Sequence, residues 1–375
     1  MKAATQNKDR FVIIMAGGRG ERFWPVSREK TPKQLVRLLG GQSFLQQTVE
    51  RILPLAPLKN IIVITNGVQA AEVRRQLPKL PAENVVAEPV GRDTCAAVTL
   101  GAAIVGQRSV NGVMAVLPAD HVVSEAKKFQ QVLGDSFDLA SRGQVIVTIG
   151  IKPNEPATGY GYIRVGNVLP PPQGVKTYKT TFFKAEQFVE KPNYETAQAY
   201  LSSEQYRWNA GMFIWSFVTI TQGLEKHQPE MAAACQRWFK VAGTPKLAKV
   251  LAREYPEIKK VSIDYALMEH AHNVVVADGA FDWDDLGSWT ALARHLKPDA
   301  EGNCAVGDFV HVDAARNIIF DARTKNRTPI AVVGQRDTIL VQTDDAVLLA
   351  HKSQAQKIKE LVKRLAEDKA YKKLV

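Results

Sequence analysis

The 375-residue chain has few cysteines and no long apolar run, and each shortage excludes a class of protein. Cys95, Cys235 and Cys304 are odd in number and far apart, which argues against a disulfide framework and gives no zinc-ligand spacing. No apolar stretch reaches the roughly 20 residues of a transmembrane helix, and residues 1–10 lack the apolar core of a signal peptide. We therefore expect a cytoplasmic globular protein.

Two common nucleotide-binding motifs are also missing from the first glycine-rich turn. A Walker A loop needs Gly-x-x-x-x-Gly-Lys-Ser/Thr, which does not occur. A dinucleotide fingerprint needs Gly-x-Gly-x-x-Gly, whereas this turn reads Gly17-Gly18-x-Gly20-x-Arg22 and has a cation in place of the third glycine. A nicotinamide or flavin site is therefore not expected.

The turn itself is suited to binding phosphate. It follows the apolar run 11–15, which is typical of a strand buried on both faces. Glycines let backbone N–H groups approach a ligand closely and form a nest of donors. Five cations then follow within a short stretch: Arg19, Arg22, Arg28, Lys30 and Lys33. The pattern predicts a site for a polyphosphate, and the alternative is an ordinary glycine turn beside a solvated basic surface.

The rest of the chain predicts an α/β protein with a small β-rich end. Strand patterns at 61–65, 85–88, 113–117 and 145–150 alternate with helical patterns, as a parallel sheet requires. One helix, 43–53, begins at Ser43 with Gln46 in the capping-box position. Five short strands within 303–349 predict a β-roll or β-helix. We predict a catalytic domain over 1–298 and a C-terminal region over 299–375.

The formal charge of +11 is concentrated in the tail. Residues 352–375 contain eight Lys or Arg against three acids. Ile358, Leu361, Val362 and Leu365 recur at helical spacing, which predicts an amphipathic helix with a basic outer face. The default interpretation is a solvated or packing helix, so no nucleic-acid or membrane partner is expected. The remaining positive charge suits small anionic substrates.

Two acidic segments are candidates for a metal site. Asp120 follows the strand 113–117, at the sheet edge where ligands bind in open α/β folds, and a carboxylate suits Mg²⁺. A helix cap is the alternative for Asp120. Asp282, Asp284 and Asp285 crowd three carboxylates into four positions. Strand alternation would place Asp282 and Asp284 on one face and Asp285 on the other, and spacing alone does not choose between them.

Other polar residues at strand ends could read a base or a sugar. A carboxylate at Glu88 could accept hydrogen bonds from guanine N1–H and N2–H₂ together. Glu190 and Lys191 offer an acceptor and a cation, although adjacent strand residues point to opposite faces and an exposed ion pair is the simpler interpretation. Asn209 can both donate and accept, and Gly211 allows close approach of a ligand.

The order Ala16-Gly17-Gly18-x-Gly20-x-Arg22-x-x-Pro25, followed by Pro32-Lys33-x-Leu35, resembles the signature of the nucleoside-diphosphate-sugar pyrophosphorylases. The resemblance implies that the loop Ala16, Gly17, Gly18, Arg19 and Gly20 wraps a nucleoside triphosphate. It also implies that Arg22 and Lys33 bind the phosphates. In this family the second magnesium aspartate immediately precedes an x-Gly-Ser/Thr step, which selects Asp285 alongside Asp120 as the metal ligands.

The same resemblance assigns the base and sugar residues. The segment 88–94 is similar to the Glu-Pro-x-Gly-Arg-Asn-Thr form of the guanylyl branch, with Asp93 where that branch usually has Asn. It implies base-side binding by Glu88, Gly91, Arg92 and Thr94. The sugar-site motifs of the family match a second set of residues: Gly159, Tyr160, Glu190, Lys191, Asn209 and Gly211.

The resemblance implies a fold and a reaction. The expected fold is a Rossmann-like mixed, mainly parallel sheet flanked by helices, the nucleotide-diphospho-sugar transferase fold. The expected reaction is transfer of GMP from GTP to mannose 1-phosphate with Mg²⁺, and a homodimer through the C-terminal region is expected by analogy. Two alternatives stay open: transfer to another sugar 1-phosphate such as a heptose or from another nucleoside triphosphate, and a catalytically silent regulatory subunit of the same fold.

Overall fold

The computed structural model describes residues 8–325 and 327–375, which form two compact units. Unit 1 contains the described residues of 1–17 together with 48–119 and 123–283. Unit 2 contains 18–47, 120–122 and the described residues of 284–375. The division of the chain at residue 298 into catalytic and C-terminal regions stays a prediction.

Unit 1 is built on a nine-stranded mixed sheet. Its strands are β1 (Arg10–Met15), β2 (Ile61–Asn66), β3 (Val85–Glu88), β4 (Val113–Pro118), β5 (Ile146–Ile151), β6 (Tyr162–Val168), β7 (Phe182–Val189), β8 (Tyr206–Ser216) and β9 (Val274–Asp278). The spatial order is β3-β2-β1-β4-β8-β5-β9-β7-β6. β3, β2, β1 and β4 pair in parallel, β8 is antiparallel to both β4 and β5, and β5 and β9 are again parallel.

Ten α-helices connect or flank these strands and those of unit 2 in the described chain. They are α1 (Phe44–Ile52), α2 (Ala70–Gln76), α3 (Asp93–Arg108), α4 (Ala126–Arg142), α5 (Tyr194–Ser203), α6 (Phe217–His227), α7 (Pro229–Val241), α8 (Lys246–Glu254), α9 (Trp289–Ala293) and α10 (Ile358–Glu367). Shorter 3₁₀ turns include Glu21–Phe23 and Lys33–Leu35, and Asp264–Met268 forms one π-helical turn. Within the described residues, no helix has the length and apolar character needed to cross a membrane.

The fold class predicted from the sequence is confirmed. Residues 11–14 of β1 are buried, as expected for an inner parallel strand. At the start of α1, Ser43 and Gln46 form the predicted capping box: the Gln46 N–H donates to Ser43 Oγ, and the Ser43 N–H donates to Gln46 Oε1. Both contacts are local, and this explains why the sequence pattern was sufficient to find them.

Unit 2 contains the β-rich region. Its strands are β10 (Cys304–Val306), β11 (Phe309–Val312), β12 (Ile318–Asp321), β13 (Ile330–Val333), β14 (Thr338–Gln342) and β15 (Val347–His351), one more than the sequence patterns suggested. β10, β12 and β14 stack in parallel, as do β11 and β13, which gives successive coils of a β-helix. Buried Asn303 and Asn317 link these coils, because the Asn317 amide donates to Asn303 Oδ1 at 3.0 Å.

The core of unit 2 joins the glycine-turn segment to the C-terminal helix. Phe23 packs on Trp289 with ring centroids 5.1 Å apart, and Trp289 packs on Phe320 at 5.2 Å. Ile358 and Val362 of α10 are buried in the same cluster. The amphipathic helix is therefore present, but Leu361, which was expected on its apolar face, is 36% exposed.

Candidate active site

The conformation of the glycine turn depends on Gly20, whose backbone is left-handed. Gly20 has φ +61°, and a Cβ there would lie 2.5 Å from the Cβ of Lys33 and 2.6 Å from its backbone nitrogen. Ser27 Oγ donates to the Gly20 carbonyl at 2.6 Å, and the Gln34 amide donates to the Gly18 carbonyl at 3.0 Å. The turn and the Lys33–Leu35 segment therefore fit together only because residue 20 has no side chain.

Lys33 links the two predicted metal ligands. Its side chain is buried, its Nζ lies 2.9 Å from Oδ2 of Asp120, and it also donates to the backbone carbonyl of Asp285. The rings of Phe23 and Phe44 lie 5.9 and 5.8 Å from the same Nζ. Burial raises the pKa of Asp120, but the nearby Lys33 and His121 charges outweigh it, so the net pKa lies below the ordinary value. Asp120 is therefore ionised at neutral pH.

The four residues predicted to carry the chemistry line one cavity of unit 2. Its volume is about 560 Å³, and Arg22, Lys33, Asp120 and Asp285 all border it. The remaining lining residues include Arg19, Gly20, His121, Gly287, Lys359 and Lys363. The two carboxylates, far apart in sequence, thus lie beside the cationic glycine turn. The roles of these residues remain predictions.

The three acids at 282–285 have three different surroundings. The alternation expected for a strand here is wrong, because only Asp284 makes a β-bridge, with Val122. Asp284 is buried and accepts from Arg294 at 3.0 Å and pairs with His295 at 2.9 Å. Asp282 belongs to unit 1, where its Oδ1 accepts from the Glu125 N–H at 2.8 Å. Of the three, Asp285 lines the cavity.

The predicted base-side residues lie in unit 1 at the end of β3 and the start of α3. Glu88 is buried and accepts a hydrogen bond from the Tyr255 hydroxyl on Oε1. Burial raises its pKa to about 7; the Tyr255 bond lowers the pKa, and the Asp93 charge raises it. Glu88 Oε2 faces Gly17, since a Cβ on Gly17 would lie 3.2 Å from it. One carboxylate oxygen is therefore already in use.

The neighbouring residues 91–94 are tied to another part of unit 1. The Arg92 guanidinium donates to the Pro256 carbonyl, and Thr94 Oγ1 accepts from the Ile263 N–H at 2.8 Å. Gly91 is exposed. Asp93 has φ 66°, a left-handed conformation in which Asn and Asp are enriched among non-glycine residues. The backbone at this position therefore suits Asp, and would suit the Asn that the resemblance led us to expect.

The predicted sugar-side residues cluster in unit 1. Among them, Lys191 and Glu190 form an ion pair. β7 ends at Val189, and Lys191 takes φ 46°, so its side chain turns back and donates to Glu190 Oε1. Adjacent residues of a strand would point to opposite faces, but Lys191 lies beyond the end of β7, so this does not separate Lys191 from Glu190. Glu190 Oε2 lies against Gly161, where an added Cβ would come within 2.5 Å of it. The Gly161 carbonyl accepts from the Asn209 N–H at 2.8 Å.

Asp264 is a residue that the sequence reasoning missed. Its Oδ1 accepts from the Asn209 side-chain amide at 2.8 Å, and burial followed by repulsion from Glu190 raises its pKa to about 6. Asn209 Oδ1 in turn accepts from Thr148 Oγ1 and from the Gly211 N–H, both at 3.1 Å. The Asn209 oxygen is therefore engaged within the protein, although the Thr148 hydroxyl is shared with the Met212 carbonyl at 3.3 Å. Asp264 lies on the π-helical turn, and no spacing pattern predicts such an approach.

Aromatic rings lie close to the same cluster. Tyr160 contacts Trp208 and Trp283 with ring centroids 5.0 and 5.2 Å apart. Trp208 is directly followed by Asn209 on β8, and Gly159 precedes Tyr160 in the loop before β6. Rings with a polar neighbour offer both an apolar surface and hydrogen-bonding groups, which suits a sugar.

A mixed, mainly parallel sheet of this kind is typical of nucleotide-binding enzymes. The chain belongs to the nucleotidyl transferase family, whose model matches residues 11–301. A second model, the MannoseP isomerase/GMP-like beta-helix domain, matches residues 307–365.

Curated and solved relatives agree with this assignment. The chain is 36% identical to the mannose-1-phosphate guanylyltransferase of Escherichia coli K12, over 96% of this chain and 74% of that protein. It is also 36% identical to the xanthan biosynthesis protein XanB of Xanthomonas campestris, over 94% and 72%. The crystal structure of mannose-1-phosphate geranyltransferase from Thermus thermophilus superposes with a TM-score of 0.81 at 34% identity, covering 95% of this chain and 99% of that one.

Proposed function

We propose that the protein transfers GMP from GTP to mannose 1-phosphate, giving GDP-mannose and pyrophosphate. The observation that carries the proposal is the meeting of Arg22, Lys33, Asp120 and Asp285 at one cavity. The relatives named as mannose-1-phosphate guanylyltransferases supply the substrate pair. A phosphate oxygen of the sugar phosphate attacks the α-phosphorus in line, the bond to the β-phosphate oxygen breaks, and pyrophosphate leaves.

The chain contributes charge and position rather than a nucleophile. The attacking oxygen is already anionic, so no protein base is needed. Arg22 neutralises charge on the triphosphate. Lys33 has three donors, of which Asp120 and the Asp285 carbonyl take two, so one can reach a phosphate oxygen. Lys191 is proposed to hold the sugar phosphate. Asp264 is proposed to accept from a sugar hydroxyl, since the Asn209 oxygen already accepts from the Gly211 N–H.

The acids of the cavity fit a magnesium ion. Asp120 and Asp285 offer hard carboxylate oxygens, and Mg²⁺ in phosphate-transfer sites commonly takes one or two carboxylates together with substrate phosphates. Asp120 is ionised, as a ligand must be. When bound, the ion would supply positive charge next to the reacting phosphates. Asp120 and Asp285 are the proposed ligands.

A homodimer through the C-terminal region is also proposed, since one β-helix face is apolar and exposed. In the β11–β13 pair, Val310 lies opposite Ala331 and Val312 opposite Val333. Val310, Val312 and Val333 are 57, 56 and 68% exposed. A regular apolar face of this kind is typical of a protein contact. A cytoplasmic location stays a prediction.

The deciding experiment is a substrate panel. The four nucleoside triphosphates are each paired with mannose, glucose and heptose 1-phosphates in excess Mg²⁺, and pyrophosphate release is measured. We expect GTP with mannose 1-phosphate to exceed every other pair by at least tenfold in kcat/KM. Preference for another pair would reassign the substrates, and no release with any pair would favour a silent subunit of the same fold.

A further inference from the structure

Two lysines of the C-terminal helix belong to the wall of the cavity. Lys359 and Lys363 lie on α10, four residues apart and hence on one face of the helix, and both line the cavity beside Arg19, Arg22 and Lys33. They are more than 320 positions from the glycine turn, and their part of the chain carries no phosphate-binding motif. The basic tail thus has a specific location within unit 2.

The orientation of α10 is fixed by its buried apolar face, which lies about 100° around the helix from the two lysines. Ile358 and Val362 are buried in the core that also contains Phe23, the residue next to Arg22. Beyond the helix, the Leu374 carbonyl accepts from Trp24 Nε1 at 2.7 Å and also from Arg28. The segment that carries the predicted phosphate ligand Arg22 therefore also anchors the helix and its two lysines.

The charges of the cavity favour an anion larger than a single carboxylate. Five cationic side chains, counting Lys359 and Lys363, face three carboxylates, those of Glu21, Asp120 and Asp285. Lys33 is already paired with Asp120, and Arg19 lies 3.9 Å from Glu21. In the part of the chain that the structure describes, neither Lys359 nor Lys363 has an ion-pair partner within 4.0 Å. Their charges are available to a ligand.

We propose that Lys359 and Lys363 bind the β- and γ-phosphates of the nucleotide and the pyrophosphate that these become. This rests on the proposed nucleotidyl transfer. Arg22, the predicted ligand of the triphosphate, lines the same cavity as both helix lysines. A diphosphate carries enough negative charge to engage several cations at once. The C-terminal helix is thus a ligand-binding element of the enzyme, and its lysines act on the leaving group.

The test compares two charge-matched double variants of the full chain. Lys359→Gln/Lys363→Gln removes the proposed contacts, and Lys357→Gln/Arg364→Gln removes the same charge from positions of the same region that do not line the cavity. Isothermal titration with inorganic pyrophosphate measures binding without turnover. We expect the first pair to raise the Kd for pyrophosphate 10- to 100-fold and the KM for GTP several-fold, with the KM for the sugar phosphate unchanged. The control pair should change each value less than twofold.

The outcomes separate the two proposals. Equal losses in both variants would mean a general charge effect, and an unchanged Kd in the first would mean that the lysines do not touch the ligand; either result overturns the inference. Lys359→Arg/Lys363→Arg should restore binding, which excludes misfolding as the cause of a loss. Selective loss of pyrophosphate binding in a protein that releases no pyrophosphate from any substrate pair would support this anion site while refuting the proposed reaction.

Discussion

Three neighbouring acids provide a test at the scale of single residues. Asp285→Asn should lower kcat about 10²- to 10³-fold, because it removes a carboxylate that is proposed to hold the magnesium ion beside the reacting phosphates. Its free energy of unfolding should change little. Steady-state pyrophosphate release in saturating Mg²⁺ and urea denaturation measure the two quantities.

The flanking acids are its controls. Asp284→Asn should lose about 1–3 kcal/mol of stability, because Arg294 and His295 would lose a buried anionic partner. Asp282→Asn should keep near wild-type turnover, since its contact is with the Glu125 N–H and an amide oxygen can still accept. Near wild-type turnover in Asp285→Asn would show that the metal assignment is wrong.

Glu88 gives a prediction for pH. Its folded-state pKa is about 7 against an ordinary 4.5, mainly because burial disfavours the charged form. Between those values the folded protein holds a proton that the unfolded chain has lost, so stability falls as pH rises from about 4.5 to 7 and then levels off. We expect the free energy of unfolding of Glu88→Gln to fall less over this pH range than that of the wild type, by on the order of 1–3 kcal/mol.

Urea unfolding of the wild type and Glu88→Gln at pH 5, 6, 7 and 8 measures the difference, and subtraction cancels the other titrating groups. A difference that stays constant from pH 5 to 8 would show that Glu88 is charged in the folded protein across this range, because the unfolded chain is charged there too.

At the scale of elements, the glycine turn should tolerate an added side chain at residue 20 poorly. Gly20→Ala must adopt φ +61° with a Cβ 2.5 Å from that of Lys33, so we expect a loss of about 1–3 kcal/mol and displacement of Lys33. Gly41→Ala is the matched control, because it lies outside the predicted nucleotide loop, no described atom lies within 4 Å of the position its Cβ would take, and its φ is not left-handed. Thermal unfolding and kcat of both variants give the comparison. A Gly20→Ala protein as stable and active as Gly41→Ala would mean that the turn is not held in this conformation.

Features set by short-range chemistry could be predicted from the sequence, and features set by distant contacts could not. The capping box of α1 needs only Ser43 and Gln46, three residues apart, and it was predicted. The different surroundings of Asp284 and Asp285 depend on Arg294, on His295 and on the cavity wall, so spacing left them equivalent. The sequence predicted a helix with a basic outer face in the region of Lys359 and Lys363. Periodicity does not predict which residues or cavity such a face contacts.

At the scale of the whole molecule, we expect the exposed face of the β-helix to set the oligomeric state. Its valines alternate with inward residues such as Ile330 and Val332, which are 6 and 7% exposed, so the outer row is part of a regular sheet and not a loose loop. Burying Val312 and Val333 against a second copy would gain about 25 cal/mol for each Å² of apolar surface removed from water. We therefore expect a dimer of twice the 41.4 kDa chain mass.

Val312→Glu/Val333→Glu should convert this dimer to a monomer, because two charges would have to be desolvated at the contact without partners. Val168→Glu is the control, since Val168 is 60% exposed but lies on β6 of unit 1. Light scattering over a range of protein concentrations gives the mass, and circular dichroism checks that the β-helix has stayed folded. A wild-type dimer that survives the double substitution would place the contact on another surface, and a wild-type monomer would leave this apolar face without a role in self-association.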